Sequence, residues 1–160
     1  MNKKQIISEV LAHLEHELLA IKNAANNAHL AATDDQSVAE TQYDTLAIEA
    51  SYLAEGQSRR VDEIQQAKQA IEQLVIRDFH EEMSISLSAL VQISEHNNNN
   101  QWFFIAPASG GFKGILNGQE YTVITPSSPM AKALIGKFIE DEISLVIGIN
   151  KQVFEITAIH

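Results

Sequence analysis

The sequence predicts an α+β protein of two domains, a long antiparallel helical coiled-coil hairpin over residues 1–78 and a small antiparallel sheet domain with one short helix over 84–160. Three observations carry this reading. Residues 1–78 contain no proline and a single glycine, Gly56, and are rich in Ala, Leu, Glu, Gln and Lys, all good helix formers. Their apolar residues recur at alternating steps of four and three, the seam of a coiled coil. From Ser84 the apolar period changes to two, the mark of half-buried strands.

In the first helix the seam runs Ile7, Leu11, Leu14, Leu18, Ile21, Ala25 and Ala28. The pattern stops at Thr33-Asp34-Asp35-Gln36-Ser37, a polar run rich in N-capping residues that predicts a turn. A second seam follows through Ala39, Tyr43, Leu46, Ala50, Leu53, Gln57, Arg60, Ile64, Ala67, Ile71 and Leu74. Folding the chain back at the turn pairs Ala28 with Ala39, Ile21 with Leu46 and Leu14 with Leu53. A first helix of some 28 residues would extend about 40 Å, far more than a small globular body needs. Such a projection implies reach toward a partner, with an acidic tip at 33–40. Polar Gln57 and Arg60 either set the register or mark where the seam opens to solvent.

The boundary is expected near Arg77-Asp78-Phe79-His80-Glu81-Glu82. Ile85, Leu87, Ala89, Val91 and Ile93 alternate with polar residues as a first strand, the Asn97–Asn100 run forms a loop, and Gln101–Ala106 forms a second strand. Gly110-Gly111 and Asn117-Gly118 mark turns, and Glu120–Ile124 is a third strand. Ser128 as N-cap and Pro129 at the first helical position open a short helix that Gly136 terminates. Ile143–Ile149 and Gln152–Ile159 close the domain as a hairpin, giving about five strands in all.

Composition narrows the function. The chain has 160 residues and no cysteine, which excludes disulfides, thiolate zinc sites and cysteine nucleophiles. No apolar run approaches the roughly 20 residues of a membrane span, and charge interrupts the N-terminal apolar pairs, so a soluble cytoplasmic protein is expected. The formal charge of −10 opposes autonomous binding to nucleic acid. It is spread along the chain, with thirteen acidic and seven basic residues in the first eighty positions and eight against four in the rest. No P-loop, dinucleotide fingerprint or serine elbow is present, and Gly110–Gly114 lacks the spacing of a phosphate cradle, so no catalytic residues of its own are expected. His13 and His16 flank the seam without a convergent third ligand, so no metal or other cofactor is expected in the free protein.

The order of parts, together with Val123-Ile124-Thr125-Pro126-Ser127-Ser128-Pro129-Met130-Ala131-Lys132-Ala133-Leu134-Ile135-Gly136-Lys137, resembles the bacterial Gre-type transcript cleavage factors. A strand, a Ser-Pro pair, a small-basic-small-aliphatic helix and a Gly-Lys exit occur together at fixed offsets. The resemblance implies an FKBP-like C-terminal fold, with Ser127, Ser128 and Pro129 in a loop that docks on RNA polymerase at the rim of its secondary channel. It implies that the hairpin enters the channel and brings the tip acids Asp34, Asp35 and Glu40 to a magnesium ion shared with the polymerase. Any RNA cleavage would then be performed by the polymerase active site, with this chain as a monomeric accessory factor.

The tip departs from the family pattern of Asp, two residues, then Glu and Asn. Glu40 matches the Glu, but Ser37 stands where the Asp belongs and Thr41 replaces the Asn. Ser37 and Glu40 also form an S-x-x-E capping box, so Glu40 serves a helix start whether or not it meets a metal. The first helix carries Lys22 as its only base between Lys4 and the turn, where the family commonly has a basic patch for the RNA end. Weak or absent cleavage with retained channel occupancy is therefore expected. A coiled-coil adaptor or chaperone unconnected with transcription is the alternative.

Overall fold

Helix formers without proline become two 30-residue helices, α1 at Lys3–Ala32 and α2 at Tyr43–Glu72, each about 45 Å long at 1.5 Å per residue. A computed structural model describes residues 2–32, 43–95, 99–148 and 150–160. The strands that follow are β1 (Leu90–Glu95), β2 (Asn99–Ile105), β3 (Lys113–Leu116) and β4 (Gln119–Ile124). After them come α3 (Pro129–Leu134), β5 (Glu142–Ile147) and β6 (Asn150–Ile159). Two compact units divide the chain, Ala12–Lys68 on one hand and Met1–Leu11 with Gln69–His160 on the other. The division crosses both helices, so their root turns are counted with the sheet.

In the helical unit, Lys68 Nζ lies 2.7 Å from Glu15 and Arg60 3.6 Å from Glu17, so α1 and α2 run side by side in opposite senses there. Leu14 and Ile64 are buried at this level, and Leu18, Ile21 and Ala67 are half-buried. The register differs from the sequence expectation, since Leu14 comes level with Ile64 rather than with Leu53. The offset is eleven residues, about three helical turns. Arg60 stays exposed and pairs with both Glu17 and Glu63, so the seam opens to solvent at that point. The expected pairs Ala28–Ala39 and Ile21–Leu46 involve side chains outside those described.

The sheet unit holds six strands in the order β3-β4-β2-β1-β6-β5. The expectation of about five antiparallel strands is corrected in two ways. Lys113–Leu116 is an additional edge strand, paired with β4 across Asn117-Gly118, both at positive φ (53° and 77°) as a two-residue hairpin turn requires. The pair β2·β4 is parallel, Trp102 opposite Tyr121 through Ile105 opposite Ile124. The chain reverses twice between these strands, so once β3 takes the outer edge, β4 must meet β2 in parallel.

The first strand also begins later than its alternation suggested. Ser88 adopts φ 70°, is fully buried, and donates its N–H to Ile105 O, so residues 84–89 form an irregular lead-in to β1. Its Oγ accepts from Arg77 N at 3.0 Å, while the Lys3 ammonium donates to Arg77 O. One residue after α2, Arg77, is thus held through both its N–H and its C=O.

Alternation sorts the strand residues onto two faces. Val91, Ile93, Phe103, Ile105, Phe154 and Ile156 form one core with Ala131 and Leu134 of α3. Trp102, Phe104, Tyr121 and Val123 point to the opposite face, where α1 arrives. In this unit Ile6 and Val10 of α1 are fully buried, whereas the seam residues Ile7 and Leu11 are only half-buried, because the sheet draws a different stripe inward. Tyr121 Oη donates to Glu9 Oε2 at 2.6 Å directly over Gly114. Burial, the hydrogen bond and the neighbouring carboxylate push the Tyr121 pKa up, so the phenol keeps its proton.

A Cβ on Gly114 would stand 2.3 Å from Tyr121 Oη, 2.5 Å from its Cζ and 2.7 Å from Glu9 Oε2. Gly114→Ala is therefore expected to destabilise the fold by about 2–3 kcal/mol, since a rigid packed ring must move. Tyr121→Phe should cost about 1–2 kcal/mol by removing the Tyr121 hydroxyl from Glu9 Oε2, which leaves Glu9 only the bond from Gln5 Nε2. Denaturant unfolding measures both, and a neutral Gly114→Ala would refute the close packing. A second expectation concerns His160, whose ring stacks on Trp102 at 5.6 Å and whose pKa burial lowers. The folded chain then takes up this proton less readily than the unfolded chain. Stability should fall as pH drops through the ordinary histidine range near 6.5. The slope should flatten in His160→Phe, read from unfolding midpoints between pH 7.5 and 5.

Candidate functional site

The parallel pairing of β2 and β4 brings their carboxyl ends together, so the loops after Ile105 and Ile124 lie side by side. Ala106 N donates to Ile124 O at 3.0 Å and Gly111 N to Val123 O at 2.8 Å. A Cβ on Gly110 would stand 3.1 Å from Thr125 Cγ2, so the first loop closes tightly on the second. The segment Thr125–Pro129 is thereby buttressed from behind while Pro126, Ser127 and Pro129 remain exposed.

Its shape follows from local chemistry. Ser128 N donates to Thr125 O at 2.9 Å, closing a turn, and the Thr125 and Ser127 hydroxyls lie 3.1 Å apart. Ser128 is extended at φ −67°, ψ 149° and its Oγ accepts from Ala131 N at 3.2 Å, the N-cap expected from sequence. Pro129 fills the first helical position, where no N–H is needed. Ser127, Ser128 and Pro129 therefore form one rigid corner. The other expected site residues, Asp34, Asp35 and Glu40, lie outside the described residues, as do Ser37 and Thr41.

At the far end of α3 the chain leaves through Gly136 at φ 84°. Gly136 N donates to Ile85 O and Ile85 N to Lys137 O, both at 2.8 Å, so the exit is stitched to the lead-in of β1. Around this stitch Leu87, Ile135 and Phe138 are 39%, 41% and 43% exposed, with Lys132 and Lys137 exposed beside them. Sequence reasoning missed this patch. It placed Leu87 in a strand and Ile135 in the short helix that Gly136 terminates; the one available signal was Ile-Gly-Lys-Phe, apolar residues astride a terminating glycine. Among the described residues no cluster of three His, Cys, Asp or Glu side chains could hold a metal ion. Nor is any described helix long and apolar enough to cross a membrane.

Ser128→Ala should cost about 1 kcal/mol of stability by leaving the Ala131 N–H without its cap. Ser127→Ala should cost far less, since its hydroxyl faces solvent and one neighbour. Thermal unfolding of the two variants separates them, and equal losses would contradict the capping role.

No family model matches the chain, and no curated protein matches it. Among solved structures it is similar to the GreA factor homolog 1 (Gfh1) of Thermus thermophilus, at 18% identity and a TM-score of 0.39 over 98% of this chain and 93% of that one. It is also similar to Gfh1 of Thermus aquaticus, at 18% identity and a TM-score of 0.40 over 98% and 93%. A third similar structure is the transcription elongation factor GreA/GreB of Nitrosomonas europaea, at 16% identity and a TM-score of 0.36 over 60% of this chain and 78% of that one.

Proposed function

We propose that the protein is a cytoplasmic, monomeric accessory factor of RNA polymerase that regulates transcription elongation from the secondary channel. The observation that carries this reading is the corner at Ser127, Ser128 and Pro129, with its cap, proline and glycine exit at the offsets of the Gre-type motif. The corner is exposed, rigid and held by two loops, as a docking element must be. Beside α3, the apolar side chains Leu87, Ile135 and Phe138 and the lysines Lys132 and Lys137 extend the same contact surface.

In this reading α1 and α2 form the hairpin that enters the channel, and the sheet unit, of FKBP-like type, stays at the rim. The tip acids Asp34, Asp35 and Glu40 would approach the polymerase magnesium. Carboxylates on a solvated turn bind magnesium weakly, because the ion keeps most of its water unless other ligands complete its octahedron. The polymerase would supply those ligands, and the free protein would have no tight site. With Ser37 in place of the family Asp, the chain occupies the channel more effectively than it promotes cleavage.

Tagged protein should co-purify with core RNA polymerase, and the double variant Ser128→Ala, Pro129→Ala should bind several-fold more weakly while remaining folded. Absence of binding at micromolar concentration would sink the proposal and favour an adaptor role with another partner. On stalled elongation complexes, little transcript cleavage is expected together with competition against other channel-binding factors. Strong cleavage abolished by Asp35→Ala or Glu40→Ala would instead make the tip an active participant.

A further inference from the structure

The six-stranded sheet ends in two edges of different character. On β3 the edge is four residues long, holds Gly114 and opens on Lys113, which pairs with Glu120 at 3.0 Å. Short length and an edge lysine are devices against strand-to-strand association. On β5 neither is present: Glu142–Ile147 holds no proline or lysine, and its register with β6 runs without a shift. We propose that the β5 edge joins a second copy of this chain, antiparallel about Ser144, into one continuous sheet.

The backbone restricts how two such edges can meet. Ile156 N donates to Asp141 O at 3.0 Å, in line with the pairing of Glu142 and Glu155. Bonding alternates along an antiparallel ladder, so residues 143, 145 and 147 bond to β6, while the N–H and C=O groups of Glu142, Ser144 and Val146 point outward. A two-fold axis at Ser144 sets these three residues against Val146, Ser144 and Glu142 of the second copy, and every outward group finds a partner. On the core face the same axis sets buried Ile143 against half-buried Leu145.

Charge selects the same register. Within one chain the exposed Glu142 lies opposite the exposed Glu155, and no described ion pair engages either. At the other end of the edge Val146, 74% exposed, lies opposite Lys151. Pairing about Ser144 brings Val146 of the second copy beside Glu142, with that copy's Lys151 one strand further, about 10 Å away between backbones. The lysine reaches Glu142 over the short valine and covers it with its stem. Sliding the copies to centre on Leu145 would set Glu142 against Gly148 and lose this ion pair. The interface is one strand wide, well under the roughly 1,200 Å² of stable complexes, and copies of net −10 repel, so the pairing is weak. It belongs to the concentrated free chain, and the monomer remains the form proposed at the polymerase.

Sedimentation velocity from about 10 to about 500 μM should show a reversible monomer–dimer equilibrium. The chain has no cysteine, so Ser144→Cys supplies a single thiol that a short bis-maleimide should crosslink between copies, whereas Ile115→Cys on the β3 edge should not crosslink. Glu142→Lys should weaken the dimer about tenfold by facing Lys151 with a like charge, and adding Lys151→Glu should restore it. Both positions are exposed, so these variants should fold normally, which thermal unfolding at low concentration checks. A chain that stays monomeric throughout would overturn the proposal. So would a dimer that Glu142→Lys leaves intact, a double variant no tighter than the single one, or equal crosslinking from Ile115→Cys.

Discussion

The sheet is tied to the start of α1 by one part-buried contact, the hydrogen bond from Tyr121 to Glu9 across Gly114. A carboxylate and a phenol can be taken out of water together only if each satisfies the other, because an unmatched buried partner costs more than the bond returns. The 2.6 Å separation and the raised Tyr121 pKa both express that mutual satisfaction. Gly114 makes it possible, since any Cβ there would occupy the place of the two oxygens. Through this contact Glu9, in the second turn of α1, becomes part of the sheet unit. The grip on Arg77 by Ser88 and Lys3 does the same for the chain leaving α2. The first eleven residues and the last ninety-two accordingly form a single compact unit, despite their separation in sequence.

The two faces of the sheet then take different duties. One is occupied by the roots of the helices, which leaves the other to α3 and the strand core. Because β4 runs parallel to β2, the loops at their carboxyl ends share one edge, and α3 starts from that edge with its cap already formed. A purely antiparallel meander would have put β3 beside β2 and separated these loops. The rigid Ser127–Pro129 corner is therefore a product of strand order as much as of its own residues.

The sequence made some of this legible and concealed the rest for identifiable reasons. The helices and the Ser128-Pro129 cap depend on neighbours a few residues apart, and those interactions are visible in a linear string. The register of α1 against α2 is not local; it depends on which side chains meet across the pair, Glu15 with Lys68 and Glu17 with Arg60. β3 escaped notice because its four residues include a glycine, although Asn117-Gly118 calls for a strand on each side. Ser88 broke a convincing alternation because its left-handed backbone is stabilised by bonds to Ile105 and Arg77, far away in sequence. Glu9 carried no mark at all: on a helical wheel it is another acidic surface residue. The tip acids stand apart from this comparison, since they lie outside the described residues.

Charge gives the last step of the argument. In a chain of net −10, cations are scarce, and their placement restricts what each surface can meet. Lys132 and Lys137 stand exposed beside Leu87, Ile135 and Phe138, so that side of the sheet unit favours an apolar partner surface with acidic edges. One residue beyond Phe138, Ile139 lines a separate cleft with Phe79, Ile159 and the exposed Glu81 and Glu82. Elsewhere the chain's charge is predominantly acidic, which works against polyanionic partners.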